Sequence, residues 1–95
     1  MKAYSVLTQK QGIIMTHEEI VNKVTPIVAK YLDEPKDSID LNADMRETYG
    51  ADSLDIVQIV MDVEHAFSIT ITDAAADGIK TAQDIIDEVE RNILD

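Results

Sequence analysis

Apolar residues at Ile20, Val21, Val24, Ile27, Val28 and Tyr31 recur at intervals of three and four, which places them on one side of a helix spanning about His17–Leu32. Thr16, followed three residues later by Glu19, has the spacing of a capping box, in which each side chain accepts a free backbone N–H of the first turn. Pro26 lies inside this helix, removes one backbone hydrogen bond and is expected to kink it. A second apolar run predicts a helix from about Ser53 to Phe67, with Asp52 as its cap and Asp55 reinforcing the first turn. The last helix is expected to start at Thr81, with an acid three on at Asp84, and to bury Ile85, Ile86, Val89 and Ile93. Between these two, Asp73–Asp77 has room for one or two turns before Gly78.

The remaining segments lack such a period. Asp33–Asp52 contains Pro35, Asn42, Gly50 and several acids, with Ile39, Leu41 and Met45 as isolated apolar positions. It reads as a long loop pinned to a core, a kind of segment that is often functional. Residues 1–15 read as an N-terminal extension, disordered or loosely docked; Met15 stands directly ahead of the first helix signal and is an alternative candidate start. The fold class expected is all-α, an antiparallel four-helix bundle with three long helices and one short one, formed by residues 16–95.

At about 100° per residue, the apolar positions of the second helix fall into two groups. Ile56, Ile59, Val60, Val63, Ala66 and Phe67 share one sector and are assigned to the core. Leu54, Val57 and Met61 point elsewhere, framed by Asp55, Gln58, Asp62 and Glu64. This narrow apolar strip rimmed by acids suits a basic partner with an apolar groove. Periodicity alone equally allows the strip to be buried under the long loop.

Composition narrows the partners. The 95 residues carry 19 acids against 8 bases, a net charge of -11, and all the acids fall after the first sixteen residues. Phosphate backbones are held by Lys and Arg, so nucleic acid is excluded as a partner and basic protein surfaces are favoured. With no cysteine there is no disulfide, thiolate metal site or thiol nucleophile in the chain itself. No run approaches the length of a membrane span and residues 1–16 lack a signal-peptide apolar region, which makes a cytoplasmic protein the expectation. His17 and His65 are too few for a metal constellation and read as surface residues. The acids of Asp33–Asp44 lack the glycine and terminal Glu of a calcium loop. No carboxylate pair stands in a catalytic setting, so no catalytic residue, no metal ligand and no enzyme activity are assigned.

At the amino end of the second helix stands Gly50-Ala51-Asp52-Ser53-Leu54-Asp55. Here the chain resembles the acyl carrier protein family, whose attachment motif is an Asp-Ser-Leu opening the second helix, commonly preceded by Gly-Ala and followed by Asp. The resemblance extends over residues 16–95, through the long loop, Phe67, the Ile-rich connection and the Thr-capped last helix. It implies that Ser53 carries a covalent 4'-phosphopantetheine taken from coenzyme A, whose thiol holds acyl groups as thioesters. A serine in the first turn of an exposed helix end presents its hydroxyl to a modifying enzyme that supplies a base and a metal.

The resemblance also implies partners: a phosphopantetheinyl transferase, and acyl-chain synthesis and acyltransferase enzymes, met by a monomeric carrier through Asp52, Leu54, Asp55, Val57, Gln58, Met61 and Asp62. Gln58 replaces a common Glu and removes a charge from that face. Tyr49 stands where Leu is commoner, Arg46 and Thr48 replace part of an acidic stretch, the Ile-Pro-Asp turn appears as Ile71-Thr72-Asp73, and Ala74, Ala75 and Ala76 replace acids. Fatty-acid synthesis or a related pathway is the leading expectation. A carrier of aminoacyl, D-alanyl or polyketide intermediates, or a structural adaptor using the same fold, is the alternative.

Overall fold

Each of the three strongly amphipathic segments becomes a long helix that buries one side against the others. The computed structural model describes residues 6–8 and 13–94, and the helices are α1 His17–Leu32, α2 Met45–Tyr49, α3 Ser53–Phe67, α4 Asp73–Asp77 and α5 Ala82–Leu94. α1 packs against both α3 and α5. Ile20, Val24 and Val28 of α1, Ile59 and Val63 of α3, and Ile85, Ile86 and Val89 of α5 are wholly enclosed. No polar or charged side chain is buried with them among the described residues, so the core demands no internal polar partners.

The helix ends follow the side chains expected of them. Thr16 and Glu19 exchange bonds with each other's backbone N–H, at 3.0 and 2.8 Å. Thr81 and Asp84 do the same at the start of α5, each bond 3.0 Å. α1 is continuous through Pro26; Asn22, whose carbonyl would otherwise bond residue 26, is exposed on the same side, where water can serve it. His17 and His65 are both exposed, and the His17 Nδ1 pairs with the Glu90 carboxylate, joining the start of α1 to α5.

Three features depart from the pattern-based expectation. Asp33–Asp52 is not a structureless loop: Lys36–Ser38 forms a single 3₁₀ turn and Met45–Tyr49 is α2, so the bundle has two short helices rather than one. A five-residue helix shows no period, but its stops are visible in Asp44, which caps it, and in Gly50 at φ 75°, a left-handed conformation that suits glycine. Met45 is its core anchor, and the Met45 and Gln83 N–H groups bond the Lys80 and Leu41 carbonyls, both at 2.9 Å, tying this segment to the start of α5. Secondly, Ala66 is exposed. It lies about 100° round the helix from Phe67, at the edge of the sector, and a methyl group is too short to reach inward from there.

Thirdly, the first fifteen residues contain two strands, β1 Val6–Thr8 and β2 Ile13–Met15, paired antiparallel with Val6 opposite Met15. β1 lies against α5, and Met15 is part of the core. Strands of three residues are too short to show alternation. Residues 1–5 and 9–12 of the expected extension lie outside the described residues.

The two faces of α3 differ enough to be separated by substitution. Phe67→Ala should cost about 3 kcal/mol or more, whereas Met61→Ala should cost well under the roughly 2–5 kcal/mol of a buried methionine. Thermal melts of the two variants check this, with Phe67→Ala expected to be the less stable by a wide margin.

Candidate functional site

Gly50, Ala51 and Asp52 turn the chain from α2 into α3. The Gly50 N–H bonds the Arg46 carbonyl at 2.9 Å and the Ala51 N–H bonds the Met45 carbonyl at 3.1 Å, closing α2 before Asp52 opens α3. Beyond its chain neighbours no heavy atom lies within 4 Å of a Cβ placed on Gly50, so glycine is favoured there by its backbone angle and not by crowding. Asp52 and Asp55 form a capping box in which the Asp55 N–H donates to the Asp52 carboxylate at 2.9 Å and the Asp52 N–H to the Asp55 carboxylate at 3.1 Å. Ser53 sits between them at the first position of the helix, exposed, with its hydroxyl left out of these bonds.

Beside Ser53 a groove of about 330 Å³ runs between α3 and α4. Its apolar wall is made by Ile56, Val57, Val60, Met61, Ile71 and Ala76. Its polar lining is Ser53 itself, Arg46 of α2, Glu64, Asp73 and Asp77. Apolar walls with a few placed polar groups are the usual make-up of a small-molecule site of this size.

The outer strip of α3 is solvent-facing: Leu54 is 64%, Val57 51% and Met61 47% exposed. Burial under the segment that follows α1 is thereby excluded. Val57 and Met61 do double duty, since they also edge the groove, while Leu54 does not line it. One residue further on, Asp55, Gln58 and Asp62 form a parallel row, about 100° round the helix and on the side toward α1. Of the residues the sequence assigns to this face, Asp52 is exposed and Asp55, Gln58 and Asp62 are half-buried.

Tyr31, Glu64, Ser68 and Arg46 have roles that periodicity did not reveal. The Tyr31 hydroxyl donates to the Asp62 carboxylate at 2.7 Å, so Asp62 is anchored to α1 rather than swinging free. That bond, followed by desolvation and the Asp62 charge, raises the Tyr31 phenol above its ordinary pKa. Glu64 is more than a rim acid: it accepts the Ile71 N–H at 2.7 Å and fixes the connection that forms one end of the groove. Ser68, which ends α3 in a left-handed conformation at φ 55°, starts that connection. Arg46 enters the groove from a helix too short to be seen as a helix in the sequence. Among the described residues no group of three or more His, Cys, Asp or Glu is placed to hold a metal ion, and no helix is long and apolar enough to cross a membrane.

A helical bundle with an exposed serine opening α3 beside a groove with an apolar wall has the architecture of a prosthetic-arm carrier. Residues 22–89 match the family model described as a phosphopantetheine attachment site. The chain is 35% identical over 79 residues to an acyl carrier protein of Exiguobacterium sibiricum, covering 83% of this chain and all of that one. It is 41% identical over 76 residues to an acyl carrier protein of Prochlorococcus marinus, covering 80% and 95%. The structure of an acyl carrier protein from Enterococcus faecalis superposes with a TM-score of 0.69 at 28% identity, over 82% of this chain and 99% of that one.

The chain belongs to the acyl carrier protein family. Its role is to carry acyl groups on a covalent 4'-phosphopantetheine for synthesis and transferase enzymes, and it is a carrier rather than an enzyme.

The short helix that supports this site depends on one ionised carboxylate. Asp44 caps α2 by accepting the Arg46 and Glu47 N–H groups at 2.8 and 2.9 Å. The Glu47 N–H is the largest influence holding its carboxyl below the usual range; the Arg46 N–H and the Lys80 and Arg46 charges act with it, against partial desolvation. A depressed folded pKa stabilises α2 above the unfolded value of about 3.9, and that contribution is lost as pH falls through the folded pKa. Protection of the Met45–Tyr49 amides, measured against their intrinsic exchange rates at each pH, should therefore fall on acidification below about pH 4. Asp44→Asn, which still offers an oxygen but does not titrate, should flatten that dependence.

Proposed function

We propose that Ser53 is the residue that bears the phosphopantetheine arm. The single observation that carries this reading is an exposed hydroxyl, left free by the Asp52–Asp55 capping box, at the mouth of an apolar groove. The arm supplies a terminal thiol, which holds cargo as a thioester and makes up for the absence of cysteine in the chain. Ser53 offers the oxygen, α3 holds it in solvent, and the groove wall of Ile56, Val60 and Ile71 takes apolar cargo out of water.

Partners dock on the outer side of α3. Leu54, Val57 and Met61 supply apolar contact, and Asp52, Asp55 and Asp62 steer basic surfaces toward it, with Gln58 a neutral position in the acidic row. Asp62, held by Tyr31, presents its charge from a fixed position, so less side-chain freedom is lost on docking. The phosphopantetheinyl transferase and the acyl-chain synthesis and acyltransferase enzymes are the partners this face fits, working with a monomeric carrier in the cytoplasm. Fatty-acid synthesis or a related acyl pathway is the leading assignment. The neutral Gln58 and the Ala74–Ala76 run on α4 favour a specialised carrier as the second reading.

Incubation with coenzyme A and a phosphopantetheinyl transferase should add one phosphopantetheine by intact mass, and Ser53→Ala should abolish the addition while keeping its helical circular dichroism. A mass gain that persists in Ser53→Ala would refute the site. Asp55→Lys should slow modification about tenfold at low ionic strength, mainly through association. Equal rates for this variant and the parent would remove the acidic row from the docking face.

A further inference from the structure

Arg46 is the basic residue that lines the groove beside Ser53, and it shares that lining with Glu64, Asp73 and Asp77. The ion pairs among the described residues are His17–Glu90 and Arg91–Glu88, so none of these acids engages it. Glu64 is already committed to the Ile71 N–H. The guanidinium thus forms no ion pair among the described residues of a strongly acidic domain, although its charge is felt by Asp44.

The backbone that carries Arg46 is fixed. α2 is capped by Asp44, closed at Gly50 and anchored by Met45, which is 1% exposed, so the residue next to Met45 is held on the groove wall. At the facing end of α3, the Asp52 and Asp55 N–H groups are already taken by carboxylates. An anion joined to the Ser53 oxygen would meet two like charges in its own turn, and the favourable potential of the helix start is shared with them. The counter-charge has to come from outside α3. An arginine fork matches the oxygens of a phosphate geometrically as well as electrically.

We propose that the Arg46 guanidinium binds the phosphodiester at the root of the arm and holds the arm over the α3–α4 groove. Arg46 is then a positioning residue: it biases the arm toward the groove, and a basic partner surface that competes for the same phosphate releases it. The proposal rests on Ser53 as the attachment site, and the experiment separates the two.

Apo and holo protein, uniformly labelled with nitrogen-15, are compared after intact mass has shown that the arm is present and that Ser53→Ala lacks it. Failure of that mass criterion overturns the attachment site and, with it, the proposal. With holo protein in hand, the Arg46 Nε–H resonance should shift between apo and holo, and the shift should fade toward about 1 M salt, where the screening length falls to about 3 Å. The phosphorus-31 resonance of the diester should move in Arg46→Gln and move less in Arg46→Lys, which keeps the charge without the fork. Circular dichroism melts confirm that both variants stay folded, as an exposed position predicts. An Arg46 resonance identical in apo and holo, with the phosphorus signal unmoved by Arg46→Gln, overturns the proposal while leaving Ser53 in place. A shift that appears only when the thiol is loaded with succinate, and not in holo or butyryl protein, assigns the guanidinium to a cargo carboxylate and also overturns it.

Discussion

The structure depends on α3 burying one side while keeping the other, and its amino end, in water. Ile56, Ile59, Val60, Val63 and Phe67 are inside, and Leu54, Val57 and Met61 are outside. A helix apolar all round would be drawn fully into a core or into association with another chain. The other elements are arranged to prevent this: α1 packs against α3 and α5, and α4 is too short to cover the outer side. The groove between α3 and α4 follows from that incomplete cover. The site proposed above thus lies where the short α4 leaves α3 uncovered.

Charge works in the same direction. The domain is strongly acidic, and its described ion pairs are few and at the surface, where such pairs contribute little to stability. The acids that do have structural work are those at helix starts: Glu19, Asp44, Asp52, Asp55 and Asp84 all accept backbone N–H groups. These bonds satisfy free N–H groups of the helix starts and leave the negative potential of the surface intact. Asp62 and Glu64 extend this economy, one joined to Tyr31 of α1 and the other to the backbone of Ile71. The same carboxylates order the bundle and, in the proposed docking, mark it for basic partners.

Much of this was legible in the residues, for identifiable reasons. Long helices announce themselves through period and caps, so α1, α3 and α5 lie close to their expected bounds. Gly50–Asp55 was legible through its resemblance to the attachment motif and through Asp52 and Asp55, residue types that suit a helix start; the left-handed Gly50 was seen only in the structure. What stayed hidden was set by tertiary contact. α2 has five residues, its core anchor Met45 looks isolated in sequence, and without α2 the position of Arg46 at the groove could not be read. Tyr31 looks like a core residue by spacing, yet its hydroxyl reaches across to Asp62. The strands at Val6–Thr8 and Ile13–Met15 take their register from each other and from α5 rather than from any pattern of their own.

α3 serves as core on one side and, as proposed, as contact surface on the other, with the arm at its end. Methyl resonances of labelled holo protein, followed while a basic acyl-chain synthesis enzyme is titrated in, test this division most directly. The methyl signals of Leu54, Val57 and Met61 are expected to shift or broaden while those of Ile59 and Val63 hold still. Perturbation that centres on Ile59 and Val63, or that leaves Leu54, Val57 and Met61 unmoved at saturation, would contradict the division of α3 on which the whole account stands.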